Sequence, residues 1–433
     1  MPSITVRRPS GSINARIELP RSKSVAARAA IISSMALPAG PRRIGVTGPM
    51  LLHNYPTSDD STILLRLLQE RPREMHCGMG GTTFRFLLAW AAVQDGEEHL
   101  ITGAPRLLER PHDALVSALR SLGADIEPVP EGYRVRGRRL QGGEVTLDAP
   151  VSSQFVSALM MIGPMMEDGL VIHWRGRKLS EPYALMTALV MRHFNAHFTI
   201  RFGADQIIET EHGGYVSEPF TVPTDWSAAS FFYQVVALST GAVVTFPLLV
   251  FEGYQGDEDI AKLFVDQVET APWSETDATM RINGTRITRR TLRRVREEGA
   301  PCDLGATPDL FPVVAITHAA LGREAHFTGL DNLHLKESDR LAAVVDVLHV
   351  LGIPHTAGPG SLELVSSEQL VADLSHRAFT FDPHDDHRMA MALAPLALVC
   401  ESITLLDPDV VNKSYPGFWD DLAKAGFRLE RRE

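Results

Sequence analysis

Cysteine is scarce in this chain: Cys77, Cys302 and Cys400 are the only three, and no two of them form a C-x-x-C pair. That spacing excludes a disulfide framework and a zinc cage, and it points to a reducing compartment, most simply the cytoplasm. Long apolar runs are missing too. The longest, Met389 to Cys400, is broken by Pro395 and falls short of the ~20 residues that span a bilayer, so no membrane partner is expected. The opening Met1-Pro2-Ser3-Ile4-Thr5-Val6-Arg7-Arg8 lacks the apolar stretch of a signal peptide and reads as a strand. Positive charge is in the minority, with 42 Lys and Arg against 53 Asp and Glu and a net charge of -11. A chain that acidic does not grip nucleic acid through a broad basic face. Any anion site has to be built locally from a few placed cations.

What is present is length and apolar content. At 433 residues, 44% of them hydrophobic, the chain can bury a sizeable core and is long enough for two or three domains. One pattern recurs along all of it. Small or acidic residues open an apolar helix at Arg21-Ser22-Lys23-Ser24, Gly80-Gly81-Thr82-Thr83, Val151-Ser152-Ser153-Gln154, Thr224-Asp225-Trp226-Ser227, Pro308-Asp309-Leu310-Phe311 and Asp385-Asp386-His387-Arg388. The mean spacing is roughly 73 residues, one supersecondary unit per copy. Each such helix is apolar on nearly every side and is expected to be buried. A β-branched strand follows, as at Ile44-Gly45-Val46 or Leu170-Val171-Ile172, and then a second helix with one apolar and one polar face. These second helices begin near Ser61, Asp113, Tyr183, Asp257, Asp339 and Tyr415, and two of them end on Leu-Gly, where glycine supplies the left-handed cap. The chain therefore reads as an α/β protein of six β-α-β-α-β units.

The chemistry gathers at the starts of these helices, whose unpaired N–H groups and dipoles suit anions. Lys23, Arg28, Arg110, Lys336, Arg340, Arg388 and Lys413 all fall at or near such positions. Taken singly, each reads as a solvated surface charge. If the units stack with their helix starts facing one cleft, the seven converge and imply a strongly anionic ligand, such as two phosphorylated small molecules. Asp309 and Glu337 lie among them. They read either as a helix cap and a surface ion pair, or as the acid and base of a proton-transferring group exchange. Asp385-Asp386-His387 reads as a cap rather than a metal site, since no second His or Cys cluster accompanies it. Gly78-Met79-Gly80-Gly81 lacks the ending of a P-loop and the spacing of a dinucleotide fingerprint, and Cys77 reads as a buried thiol.

Leu19-Pro20-Arg21-Ser22-Lys23-Ser24 with Arg28, Glu109-Arg110-Pro111, Val151-Ser152-Ser153-Gln154-Phe155, Lys336-Glu337-Ser338-Asp339-Arg340, Asp386-His387-Arg388-Met389-Ala390-Met391 and Lys413-Ser414-Tyr415-Pro416 run in order from residue 19 to 416. Together they resemble the motifs of the 5-enolpyruvylshikimate-3-phosphate synthase family of enolpyruvyl transferases. The resemblance implies two similar inside-out α/β barrel domains of three repeats each, residues 21–221 and residues 1–20 with 222–433, around an interdomain active site. It implies a monomer that transfers the enolpyruvyl group of phosphoenolpyruvate to the 5-hydroxyl of shikimate 3-phosphate and releases phosphate, without metal or organic cofactor. By motif, Lys23, Ser24, Arg28, Ser152, Ser153, Gln154, Ser180, Tyr183, Asp309, Asn332 and Lys336 would hold shikimate 3-phosphate. Lys23, Gly81, Arg110, Gln154, Arg340, Arg388 and Lys413 would hold phosphoenolpyruvate. Asp309, Glu337 and Lys23 would move the protons.

Three positions, Met79, Gly80 and Phe86, depart from the family pattern. Its Gly-Asn-Ala-Gly-Thr loop is Gly78-Met79-Gly80-Gly81-Thr82, and the proline after the following arginine is Phe86. These changes bear on loop packing, phosphoenolpyruvate affinity and sensitivity to glyphosate. The other enolpyruvyl transferase, which acts on UDP-N-acetylglucosamine, carries a cysteine in the loop matching Ala104 to Arg110. None occurs there.

Overall fold

A computed structural model describes residues 2–37, 50–149, 152–177, 179–203, 205–277, 280–290 and 301–433. The strand expected at Ile44-Gly45-Val46, and Val151, lie outside them. The chain divides into two compact units, Lys23–Val222 and Met1–Ser22 with Pro223–Glu433.

In the Lys23–Val222 unit the apolar helices are Lys23–Met35, Gly81–Ala92 and Ser153–Ile162, and almost every residue of each is buried. The companion helix Pro182–His193 is apolar along most of its length and exposes only Arg192 and His193 at its end, while Asp59–Glu70 and Asp113–Ser121 bury one face only, for instance through Leu64, Leu67 and Leu68 of Asp59–Glu70. Polar residues on the opposite face keep that side in water. Two four-stranded sheets share one plan. Glu74–His76 runs parallel to Glu98–Thr102, which pairs antiparallel with Gly132–Arg136, itself antiparallel to Asp125–Val129. Gly143–Asp148, Leu170–Arg175, Gln206–Thr210 and Phe198–Arg201 repeat this order. The parallel pair needs a crossover, which the buried helix supplies, and the antiparallel strands close as a hairpin. A short pair, Leu52–His53 with Phe220–Thr221, completes the unit's described strands.

The other unit repeats the plan three times. Its sheets run Ile13–Arg16, Ala242–Pro247, Met280–Arg289, Val268–Asp277; then Cys302–Asp303, Ala325–Thr328, Ser361–Leu364, His355–Gly358; then Ala378–Phe381, Ser402–Leu406, Ser3–Arg7, Arg428–Arg432. In the last sheet the N-terminal strand takes the third place, with Ile4 opposite Leu405 on one side and Arg431 on the other. Helices Trp226–Leu238, Phe311–Ala320 and His387–Leu393 are buried within one apolar core. Of the companions, Arg340–Leu351 is amphipathic and ends on Gly352 at φ 76°. The helix expected near Asp257 is only Ile260–Leu263, because Gly256–Asp259 winds as a 3-10 turn, and the one expected near Tyr415 begins at Phe418. No helix among the described residues is long and apolar enough to cross a membrane.

Candidate active site

In the unit containing Pro223–Glu433, three loops deliver charge to one point. Asp309 lies in the 3-10 turn Pro308–Leu310 just before a buried helix, Lys336 and Glu337 lie between the turn Leu333–Leu335 and helix Arg340–Leu351, and Asp386 precedes helix His387–Leu393. Asp339 and Asp386 cap their helices, accepting from the Ala342 and Arg388 amides. Arg340, 1% exposed, is the hub: Nε donates to Asp386 Oδ2 at 2.8 Å, Nη1 to Asp309 Oδ1 at 2.7 Å and Nη2 to Glu337 Oε2 at 2.8 Å. A planar fork meeting three carboxylates is geometry that lysine cannot reproduce. Lys336 Nζ and Arg388 Nη2 also reach Asp309, at 3.2 and 3.0 Å. Lys413 Nζ stands 3.9 Å from Glu337 Oε1, buried and without a hydrogen-bond partner among the described residues. The same holds for the Asn332 side-chain oxygen.

Burial alone pushes the Asp309 carboxyl upward, but the charges of Arg388, Lys336 and Arg340 outweigh it and hold the group well below the usual carboxylate range. Burial draws Lys336 down, partly offset by Asp309. Arg340 is driven the other way: despite burial, Asp386, Glu337 and Asp309 secure its charge. Asp257 joins the cluster electrostatically. It is buried, takes a hydrogen bond from Ser227, and is shifted upward by burial against the pull of Arg388. Asp309 thus does not act as a side-chain helix cap, and Glu337 is not a surface pair, since its partner is fully buried.

The Lys23–Val222 unit holds the second set. Lys23 Nζ pairs with Asp60 Oδ2 at 2.9 Å. Arg28 is buried with neutral hydrogen-bond partners, donating to Thr187 Oγ1, the Ser24 carbonyl and Ser157 Oγ at 2.6, 2.8 and 3.0 Å. The Phe86 and Tyr183 rings lie 5.2 and 5.7 Å from its guanidinium carbon. Burial lowers its pKa to about 10, leaving it charged at neutral pH. Gly81 opens its helix against Arg110: a Cβ there would lie 2.6 Å from Arg110 Nη1 and 3.2 Å from Arg85 Nη1. Ser152 caps the helix Ser153–Ile162 by accepting from the Gln154 amide at 3.2 Å, and Ser153 is buried in its first turn. Ser180, buried at φ 60°, lies just before helix Pro182–His193.

Lys336, Glu337, Arg340, Asp309, Arg388 and Lys413 therefore meet in one unit, with Asn332 just ahead of Lys336. Lys23, Arg28, Gly81, Arg110, Gln154 and Tyr183 belong to the other, with Ser24, Ser152, Ser153 and Ser180. Sequence reasoning missed Asp60, Arg85, Asp257 and the ion pair of Asp386. Asp60 stands in Ser58-Asp59-Asp60-Ser61, where two acids in a first turn are ordinary dipole partners, and Arg85 sits inside an apolar helix where nothing in the pattern marks it. Among the described residues no group of three or more His, Cys, Asp or Glu side chains is placed to hold a metal ion.

Solved structures show the fold first. An EPSP synthase from Acinetobacter baumannii matches over 100% of both chains with a TM-score of 0.75 at 19% identity, and an enolpyruvyl transferase from Streptomyces tendae matches with a TM-score of 0.67 at 14% identity, covering 100% of this chain and 99% of that one. The fold is thus the mixed α/β fold of enolpyruvyl transferases. The family model for EPSP synthase (3-phosphoshikimate 1-carboxyvinyltransferase) matches residues 64–422. A 3-phosphoshikimate 1-carboxyvinyltransferase from Bacteroides fragilis is 38% identical over 423 residues, 96% of this chain and 97% of the relative, and one from Methanoculleus marisnigri is 34% identical over 355 residues, 81% and 79%. The chain belongs to the EPSP synthase family, and with it to the transferases of the shikimate pathway and aromatic amino-acid biosynthesis.

Proposed function

We propose that the two charged clusters act on one pair of substrates, transferring the enolpyruvyl group of phosphoenolpyruvate to the 5-hydroxyl of shikimate 3-phosphate with release of phosphate. The carrying observation is the cluster around Arg340, where four cations and two candidate proton-transfer carboxylates are held within ion-pairing distance of one another. Two polyanions repel, and fixed cations offset that repulsion without reorganising. Arg110, Arg340, Arg388, Lys413 and the Gly81 amide take phosphoenolpyruvate, with Lys23 and Gln154 shared. Ser24, Arg28, Ser152, Ser153, Ser180, Asn332 and Lys336 take shikimate 3-phosphate, with Tyr183 against its ring. The buried oxygen of Asn332 and ammonium of Lys413, neither with a hydrogen-bond partner among the described residues, support this division, because a bound polar group would satisfy both.

In the free protein Asp309 is a poor base, its charge stabilised by Arg388, Lys336 and Arg340. Phosphoenolpyruvate competes for Arg340 and Arg388, and shikimate 3-phosphate for Lys336, which raises the basicity of Asp309, and Asp309 takes the 5-hydroxyl proton as that oxygen attacks C2. Glu337, assisted by Lys23, delivers a proton to C3. The tetrahedral intermediate then collapses with the proton roles reversed, breaking the C–O bond to phosphate. We read each unit as an inside-out α/β barrel, a reading supported by buried helices that follow the strands of sheets sharing one plan, and the protein as a cytoplasmic monomer.

The test is phosphate release from phosphoenolpyruvate by purified protein. It is expected only with shikimate 3-phosphate present. Release with UDP-N-acetylglucosamine instead, or binding of both ligands without turnover, contradicts the assignment.

A further inference from the structure

Arg85 is a charged side chain, 2% exposed, inside the apolar helix Gly81–Ala92. Burying a guanidinium is costly unless its N–H groups have a task. Nη1 donates to Gln154 Oε1 at 2.7 Å, and the guanidinium carbon lies 5.4 Å from the centre of the Phe155 ring. The other end of the Gln154 amide, Nε2, donates to Thr82 Oγ1 at 2.9 Å. These two contacts fix which way the amide faces: reversed, it would set an N–H2 group against a guanidinium that has only donors to offer. The amide nitrogen carries two hydrogens, and Thr82 uses one. Arg110 and the start of the helix at Gly81 crowd the same place.

We propose that Arg85 is a positioning residue that locks the Gln154 carbonyl, so that the remaining Nε2–H is presented as a donor to the anionic substrates. The proposal rests on Gln154 serving both substrates, as set out above. It assigns Arg85 no contact of its own with either one: its effect on binding passes through the amide.

A double-mutant cycle on the intact protein tests this, after wild-type phosphate release has established the reaction itself. Arg85→Met is expected to raise KM for phosphoenolpyruvate about ten- to a hundredfold, the range of one hydrogen bond to a charged group, with a smaller change in kcat. In a Gln154→Ala background the same substitution should change KM by less than about twofold. An undiminished effect there would overturn the proposal, because Arg85 would then act directly or through the fold. Gln154→Glu keeps a partner for Arg85 but has no N–H, so it should raise KM as much as Gln154→Ala does. Wild-type KM in Gln154→Glu would refute the donor role even if Arg85→Met failed to fold.

Discussion

At the scale of single residues, burial decides what a charge can do. His112 is 1% exposed, bonds through Nε2 to the Leu107 carbonyl and packs on Phe84. Burial, with the charges of Arg85 and Arg110, lowers its pKa to about 4. The unfolded chain then binds a proton that the folded protein refuses between pH 6.5 and 4, so stability falls as pH drops through that window, by about 3 kcal/mol for this group. Urea unfolding at pH 7 and pH 4 should show that loss in the wild type and a correspondingly smaller one in His112→Leu; equal pH dependence would contradict the assignment. Gly81 supplies a second residue-scale prediction. A methyl group at this position meets the tip of Arg110, a flexible side chain that can move, so Gly81→Ala should fold. It should raise KM for phosphoenolpyruvate several-fold by displacing that guanidinium, while leaving KM for shikimate 3-phosphate within about twofold.

At the scale of elements, the glycines that end helices and turns differ in what they tolerate. Gly352 adopts φ 76° with open space where a Cβ would be, so Gly352→Ala should cost only the conformational penalty, about 1 kcal/mol. Gly132, at φ 145°, would press a Cβ onto the Ile101 carbonyl of the neighbouring strand Glu98–Thr102, with that oxygen 2.1 Å away. Thermal unfolding should rank Gly132→Ala well below Gly352→Ala, and the reverse order would contradict the register of that sheet. Much of the repeat was legible in the sequence because buried and amphipathic helices have different periodicities. Helix openings were visible at Ser152 and Asp386 because capping chemistry is local. The helix expected from Asp257 starts later and is shorter than its pattern suggested, since the 3-10 turn Gly256–Asp259 takes up its first residues. Asp386 shows the same boundary within the site: its capping of Arg388 is local and readable, whereas its bond to Arg340 joins loops 46 residues apart and exists only once the unit is folded. Arg85 was invisible for a related reason, because its partner Gln154 arrives from another helix.

At the scale of the whole molecule, a chain with a net charge of -11 nevertheless gathers Lys336, Arg340, Arg388 and Lys413 within ion-pairing distance of Asp309 or Glu337. The N-terminal strand completes the last sheet, so the unit carrying Asp309 and Glu337 is assembled from both ends of the chain. In the proposed reaction these two carboxylates move protons rather than merely anchor ligands. Single-turnover rates should be compared with equilibrium binding of both substrates for Asp309→Asn and Glu337→Gln. We predict that turnover falls about a hundred- to ten-thousandfold while dissociation constants stay within about tenfold. Binding lost in step with turnover, or turnover left near the wild-type rate, would contradict a proton-transfer role for Asp309 and Glu337.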